Sequence, residues 1–88
     1  MWYVYVLKSI EKKFIYIGST NNTEKRLEMH NKGLVQSTKS YAPYKILVYV
    51  AVETEVHARQ LEKYFKTGSG KAVLYKRILG SNPLVNEA

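Results

Sequence analysis

Tyr3, Val4, Tyr5, Val6 and Leu7 form one run of aromatic and β-branched residues, and Phe14, Ile15, Tyr16 and Ile17 form another. Such runs predict strands, and the polar stretch 9–13 between them has the length of a hairpin connection. With the turn centred on Ile10 and Glu11, Tyr5 stands opposite Tyr16 and both side chains emerge on one face of the sheet. Asn21 followed three residues later by Glu24 predicts a capped helix start, and the helix runs to about Asn31 before Lys32 and Gly33 stop it. Residues 34–44 read as a polar loop. Residues 45–52 are apolar on both alternations, which predicts a central strand covered on both faces. A second helix is expected over residues 55–66, with Val56 or Ala58, Leu61 and Phe65 at helical spacing. Gly68, Ser69 and Gly70 predict a break, and residues 71–79 a shorter helix ended by Gly80, Ser81, Asn82 and Pro83. The order is β-β-α-β-α-α, an α+β fold with a small antiparallel sheet carrying helices.

At 88 residues the chain is expected to form a single domain over residues 1–88. A chain of this size buries only roughly 60% of the surface its unfolded form exposes. The longest apolar stretches, 2–7 and 46–52, are too short to span a bilayer, so no membrane partner is expected. The N-terminus lacks the basic lead and small-residue cleavage site of a signal peptide. Absence of cysteine excludes disulfides and thiolate metal sites, and fits a cytoplasmic location.

Charge narrows the partners. Fourteen Lys and Arg against seven acids give a net +7, and the pI is about 9.7. An excess of this kind in so small a domain points to a polyanion, most simply nucleic acid held through its phosphates. There is no aspartate, so any carboxylate that holds a metal is one of the seven glutamates.

Arg26 and His30 are four residues apart on the first helix and share a face. Phosphodiester chemistry needs a cation to stabilise charge on the phosphoryl oxygens, a proton acceptor and a metal-binding group. Arginine suits the first, and histidine or tyrosine the second. Taken alone, the pair is a weak signal and reads rather as a solvated helix charge and a histidine complementing the helix dipole. Glu62 borders the apolar stripe of the second helix, where it looks toward the core edge or pairs with Lys66 at i+4. Gly68 to Lys71 lacks the spacing of a Walker loop. His57 reads as a surface residue, and the two histidines lack metal-ligand spacing.

Tyr3-Val4-Tyr5, Tyr16-Ile17-Gly18, Arg26, His30-Asn31 and Glu62 together resemble the GIY-YIG nuclease domain, above all its small stand-alone bacterial members. The domain also occurs in excision-repair incision subunits, homing endonucleases, restriction enzymes and resolvases of branched DNA. The resemblance spans nearly the whole chain. Tyr3 stands where the first motif has its first glycine, and Ser19 where some relatives carry lysine. The resemblance implies a three-stranded antiparallel sheet flanked by helices, and metal-dependent endonuclease activity on DNA, structure-specific in repair or recombination. It makes Tyr5 the proton acceptor with Tyr16 its neighbour, Arg26 the transition-state cation and His30 the assistant in proton transfer. With Ser19 in place of lysine, His30 is expected to lower the pKa of Tyr5. The resemblance likewise makes Glu62 the expected ligand of Mg²⁺ or Mn²⁺, and Asn82 a further candidate for the family's late asparagine. The resemblance also allows a separate protein as a targeting partner, since many relatives attach this domain to a DNA-binding domain. The competing reading on the same fold is an accessory protein that binds nucleic acid with little or no cleavage.

Overall fold

A computed structural model describes residues 1–85 and contains one antiparallel sheet in the order β2-β1-β3. The strands are β1 (Trp2–Ser9), β2 (Ile15–Thr20) and β3 (Tyr44–Val52). The helices are α1 (Thr23–Asn31), α2 (Glu55–Phe65) and α3 (Gly68–Val73), so the α+β reading and the element order hold. Beyond Val73 the chain continues in wider π-helical turns over Leu74–Leu79, and Gly80 ends them at φ 76°.

The central strand is β1, not the 45–52 strand. Its even residues Val4 and Val6 join Ile17, Ala58, Phe65 and Leu74 in the core beneath α2 and α3. Its odd residues Tyr5 and Leu7 pack with Tyr44, Leu27 and Ile46 on the α1 side. Burying a side chain such as Leu7 contributes about 1.5–3 kcal/mol, so β1 anchors both layers. The edge strand β3 is apolar on both alternations for another reason. A bulge falls between the Val6–Val48 and Leu7–Ile46 pairs and leaves Leu47 as an extra residue. Leu47 and Val48 therefore reach the same core, while Tyr49 and Ala51 remain exposed.

The hairpin register also differs from expectation. Tyr5 pairs with Gly18, and Tyr16 pairs with Leu7. Relative to the expected turn this is a slip of two residues, because the connection closes between Ser9 and Phe14. A slip of two preserves the side-chain alternation, so Tyr5 and Tyr16 still share a face, as diagonal neighbours.

The cap of α1 is Asn22 and not Asn21, its side chain accepting from the Lys25 N–H at 3.0 Å. The Thr20 hydroxyl accepts from the Asn22 N–H and turns the chain one residue later than the capping-box pattern implied. Glu24 then falls one position short of the reciprocal partner. Gly33, at φ 73°, ends the helix as expected. The Asn31 side chain next to that end exchanges two hydrogen bonds with the Tyr44 backbone, at 2.6 and 3.3 Å, clipping α1 to the start of β3.

Gly68 to Gly70 do not separate two helices. They form the first turn of α3, which Thr67 caps through the Gly70 N–H. A Cβ at Gly70 would lie 1.8 Å from the Tyr64 carbonyl oxygen, so only glycine lets α3 pack this closely on the end of α2.

Candidate active site

β1 and α1 bring the first group of predicted residues together. Arg26 and His30, one helical turn apart, both reach the Tyr5 hydroxyl. His30 Nε2 is 3.0 Å from Tyr5 Oη, and Arg26 Nε donates to that oxygen at 3.4 Å. Tyr16 lies beside them, its ring centroid 6.2 Å from Tyr5 and 5.0 Å from His30. Tyr5 finds room because Gly18 opposes it: a Cβ there would come within 2.5 Å of the Tyr5 hydroxyl. The last residue of the second motif is thus a space for the tyrosine of the first.

The hydrogen bonds assign the proton positions. Thr38 Oγ1 donates to the Val35 carbonyl at 3.3 Å and lies 2.7 Å from His30 Nδ1. One tautomer satisfies all of these contacts: Thr38 accepts from His30 Nδ1–H while donating to Val35, and Nε2 accepts from the Tyr5 hydroxyl, whose oxygen accepts from Arg26 Nε. His30 and Thr38 are both fully buried. Nothing in the sequence marks Thr38 as a partner of His30. It lies in the polar loop, and no local pattern distinguishes it from Ser37 or Ser40.

Burial controls the ionisation of this group. Desolvation, with the positive Arg26 nearby, depresses His30 to about 4, so the imidazole is neutral near pH 7. The Tyr5 phenol is raised to about 12, mainly by burial, against the lowering effect of the Arg26 hydrogen bond. The expectation that His30 lowers the Tyr5 pKa is therefore corrected. A neutral imidazole brings no charge to stabilise a phenolate, and the cation that opposes the rise is Arg26. The bond to Tyr5 in turn holds the Arg26 guanidinium protonated above its usual range.

Glu62 approaches from the other layer, around the outer edge of β2. Ser19 Oγ donates to its Oε1 at 2.7 Å, and Lys66 Nζ meets its Oε2 at 2.7 Å. The carboxylate is close enough for its charge to act on Tyr5. Both readings of Glu62 thus coexist: it faces the site edge and it pairs with Lys66. Ser19, at the position after the second motif, is the residue that orients it.

Among the described residues no three His, Asp or Glu side chains converge. A cation here would therefore take one protein carboxylate, with water and substrate oxygens completing its coordination. Mg²⁺ and Mn²⁺ accept such arrangements, and Glu62 fits once Lys66 moves aside. Asn82 is not gathered into this group. It accepts from the Leu84 N–H in a turn, and lines a hollow with Lys8, Lys45 and Leu47.

A buried tyrosine and histidine, a half-buried arginine bonded to that tyrosine, and a glutamate held by Ser19 on the edge strand are the spatial form of the motifs read along the chain. The model of the GIY-YIG catalytic domain matches residues 1–76. The chain belongs to the GIY-YIG family. It is 37% identical over 67 residues to a UPF0213 protein of Clostridium perfringens, covering 75% of this chain and 71% of that protein. A UPF0213 protein of Bacillus licheniformis is 41% identical over 70 residues, covering 78% of this chain and 71% of the relative. A third, from Bacillus pumilus, is 36% identical over 70 residues. No solved structure matches the chain significantly. Membership in this family makes the domain nuclease-like and nucleic acid its substrate class. Among the described residues no helix is long and apolar enough to cross a membrane.

Proposed function

We propose that this domain is a divalent-metal-dependent endonuclease that hydrolyses phosphodiester bonds in DNA. The observation that carries this reading is the Tyr5 hydroxyl, held between the acceptor Nε2 of His30 and the donor Nε of Arg26, with Glu62 close by. A phenol in this position has somewhere to send its proton and a cation beside its oxygen. Both are needed if it is to take a proton from an attacking water.

At rest Tyr5 is a neutral phenol and His30 a neutral imidazole. As water attacks phosphorus and the P–O bond to the leaving sugar oxygen breaks, Tyr5 passes its proton to His30 Nε2 while its oxygen accepts the proton of the water, and the leaving oxygen takes a proton from solvent. Thr38, by taking Nδ1–H, keeps His30 in the tautomer that can receive it. Phenol and imidazole are each shifted against ionisation, so a separate phenolate intermediate is disfavoured and coupling of the two transfers avoids it. Arg26 stabilises charge on the phosphoryl oxygens through its planar fork. Tyr16 packs against His30 and bounds the space beside Tyr5. Glu62, oriented by Ser19, would hold the divalent cation, which would supply charge compensation for the phosphoryl oxygens. The net +7 supplies the long-range attraction for the substrate. Asn82 has no part in this scheme.

The test is incubation with labelled single-stranded, duplex and branched DNA in Mg²⁺, Mn²⁺ or chelator, alongside Glu62→Gln. Cleavage by the wild type with metal, lost in chelator and in Glu62→Gln while DNA binding in chelator persists, is the expected result. Binding without cleavage under every metal condition would replace the enzyme by the accessory protein. Wild-type rates in Glu62→Gln would remove Glu62 from the mechanism.

A further inference from the structure

Lys66 caps the C-terminal end of α2 and stands between two possible partners. Its Nζ is 2.7 Å from Glu62 Oε2 and 5.9 Å from the centroid of the Tyr16 ring. Beyond Glu62 lies a hollow of about 170 Å³ on the outer edge of β2, lined by Ile15, Tyr16, Ile17, Lys66 and Lys71. None of its five lining residues is acidic and two are cations. Its remaining wall is the edge of the strand that carries Tyr16.

We propose that this hollow is a second phosphate subsite, which takes a backbone phosphate of the bound strand next to the scissile one. Lys66 is free to serve it only after leaving Glu62. The inference rests on the nuclease reading above and adds where the neighbouring phosphate sits and what readies the site for it. One ammonium cannot neutralise a carboxylate and a phosphate at once. A divalent cation on Glu62 also repels an ammonium held against the same carboxylate. The side chain of Lys66 is half-exposed and its pair with Glu62 is an ordinary i,i+4 contact, so little opposes its release. Its ammonium already lies over the Tyr16 ring, which lines the hollow, and rotation about its flexible stem carries Nζ in beside Lys71. In the metal-free protein, Lys66 therefore holds the place of the cation. In the loaded protein it becomes a phosphate contact, and cation binding and substrate binding reinforce each other through this side chain.

Two binding measurements test this. Mn²⁺ affinity is read from the electron paramagnetic resonance signal of free Mn²⁺ in wild type, Lys66→Met and Glu62→Gln. Affinity for a fluorescent DNA oligonucleotide is read by anisotropy in the Tyr5→Phe background, with Mn²⁺ and with chelator. Lys66→Met is expected to bind Mn²⁺ about three- to tenfold more tightly, because the competing charge has gone. It should lose about three- to tenfold in oligonucleotide affinity with Mn²⁺, with the salt slope reduced by about one, yet less than twofold in chelator. Lys71 pairs with no carboxylate among the described residues, so Lys71→Met should lose affinity equally in both conditions. Unchanged or weaker Mn²⁺ binding by Lys66→Met would overturn the proposal, as would equal oligonucleotide losses for Lys66→Met with and without metal. Glu62→Gln separates the two levels. Mn²⁺ bound as tightly as by wild type would refute the metal site itself. Loss of Mn²⁺ there, combined with wild-type behaviour of Lys66→Met, would refute only the subsite.

Discussion

Tyr5 and Gly18 are directly paired across the β1–β2 ladder, and the hydroxyl of the tyrosine occupies the space a Cβ of the glycine would need. The Tyr5 ring is buried and hydrogen-bonded at its tip, so it cannot yield without breaking its contacts to His30 and Arg26. Gly18→Ala is expected to cost about 1–3 kcal/mol in urea denaturation, the scale of overpacking in a closed core. Cleavage should fall at least about tenfold, because the displaced hydroxyl leaves its proton acceptor. Wild-type stability and rate in Gly18→Ala would mean that Tyr5 has room to spare.

Thr38→Val is nearly isosteric but removes the acceptor for His30 Nδ1–H. The imidazole then either keeps a buried unpaired donor, at about 1–3 kcal/mol, or moves its proton to Nε2. In the second case Nε2 can no longer accept from Tyr5. Cleavage should drop by about 10–100-fold with little change in DNA affinity, and Thr38→Ser should restore most of it. The Tyr44 hydroxyl bonds the Thr38 backbone carbonyl, so that contact survives both substitutions. A Thr38→Val enzyme with a normal rate would show that the tautomer of His30 does not matter.

Arg26 is only partly buried, and its removal should leave the fold intact. Arg26→Ala is expected to lower turnover by about 10²–10³-fold, as when one transition-state donor is removed. Lysine at this position should recover only part of the loss, since it keeps the charge but not the planar fork. Single-turnover cleavage at saturating enzyme separates this from weaker binding. A normal rate for Arg26→Ala would return the residue to the solvated helix surface.

His30 makes stability depend on acid. The native protein keeps the imidazole neutral down to about pH 4, whereas the unfolded chain protonates it near its ordinary 6.5. The unfolded state therefore binds more protons between these values, and stability falls as pH drops from about 6.5 to 4. The loss should approach about 3 kcal/mol at the low end. Above pH 6.5 this contribution is complete and flat. Urea denaturation from pH 7.5 to 4.5 measures it, and His30→Gln should flatten the profile. Stability that rises on acidification through this range would contradict a neutral, buried His30.

Hairpin, helices and motif residues were legible in the sequence because each depends on neighbours in the chain. Alternation of apolar side chains marked β1 and β2, and the four-residue spacing placed Arg26 and His30 on one face. Parity protected the shared face of Tyr5 and Tyr16 even though the register was two residues off. The central strand was misread because apolarity on both alternations has two causes, burial on both faces and a bulge. Only the pairing of Leu7 with Ile46 distinguishes them.

Proton positions, charge states and the partners of Glu62 were decided by tertiary structure alone. Thr38 meets His30 from a loop without distinctive sequence, and Ser19 meets Glu62 across forty-three positions. The low pKa of His30 and the high pKa of Tyr5 arise mainly from burial, which no residue carries by itself. Composition and spacing thus determined which groups are present and which of them share an element. Hydrogen-bond direction and desolvation depend on what the folded chain brings within about 3 Å, and so belong to the assembled molecule.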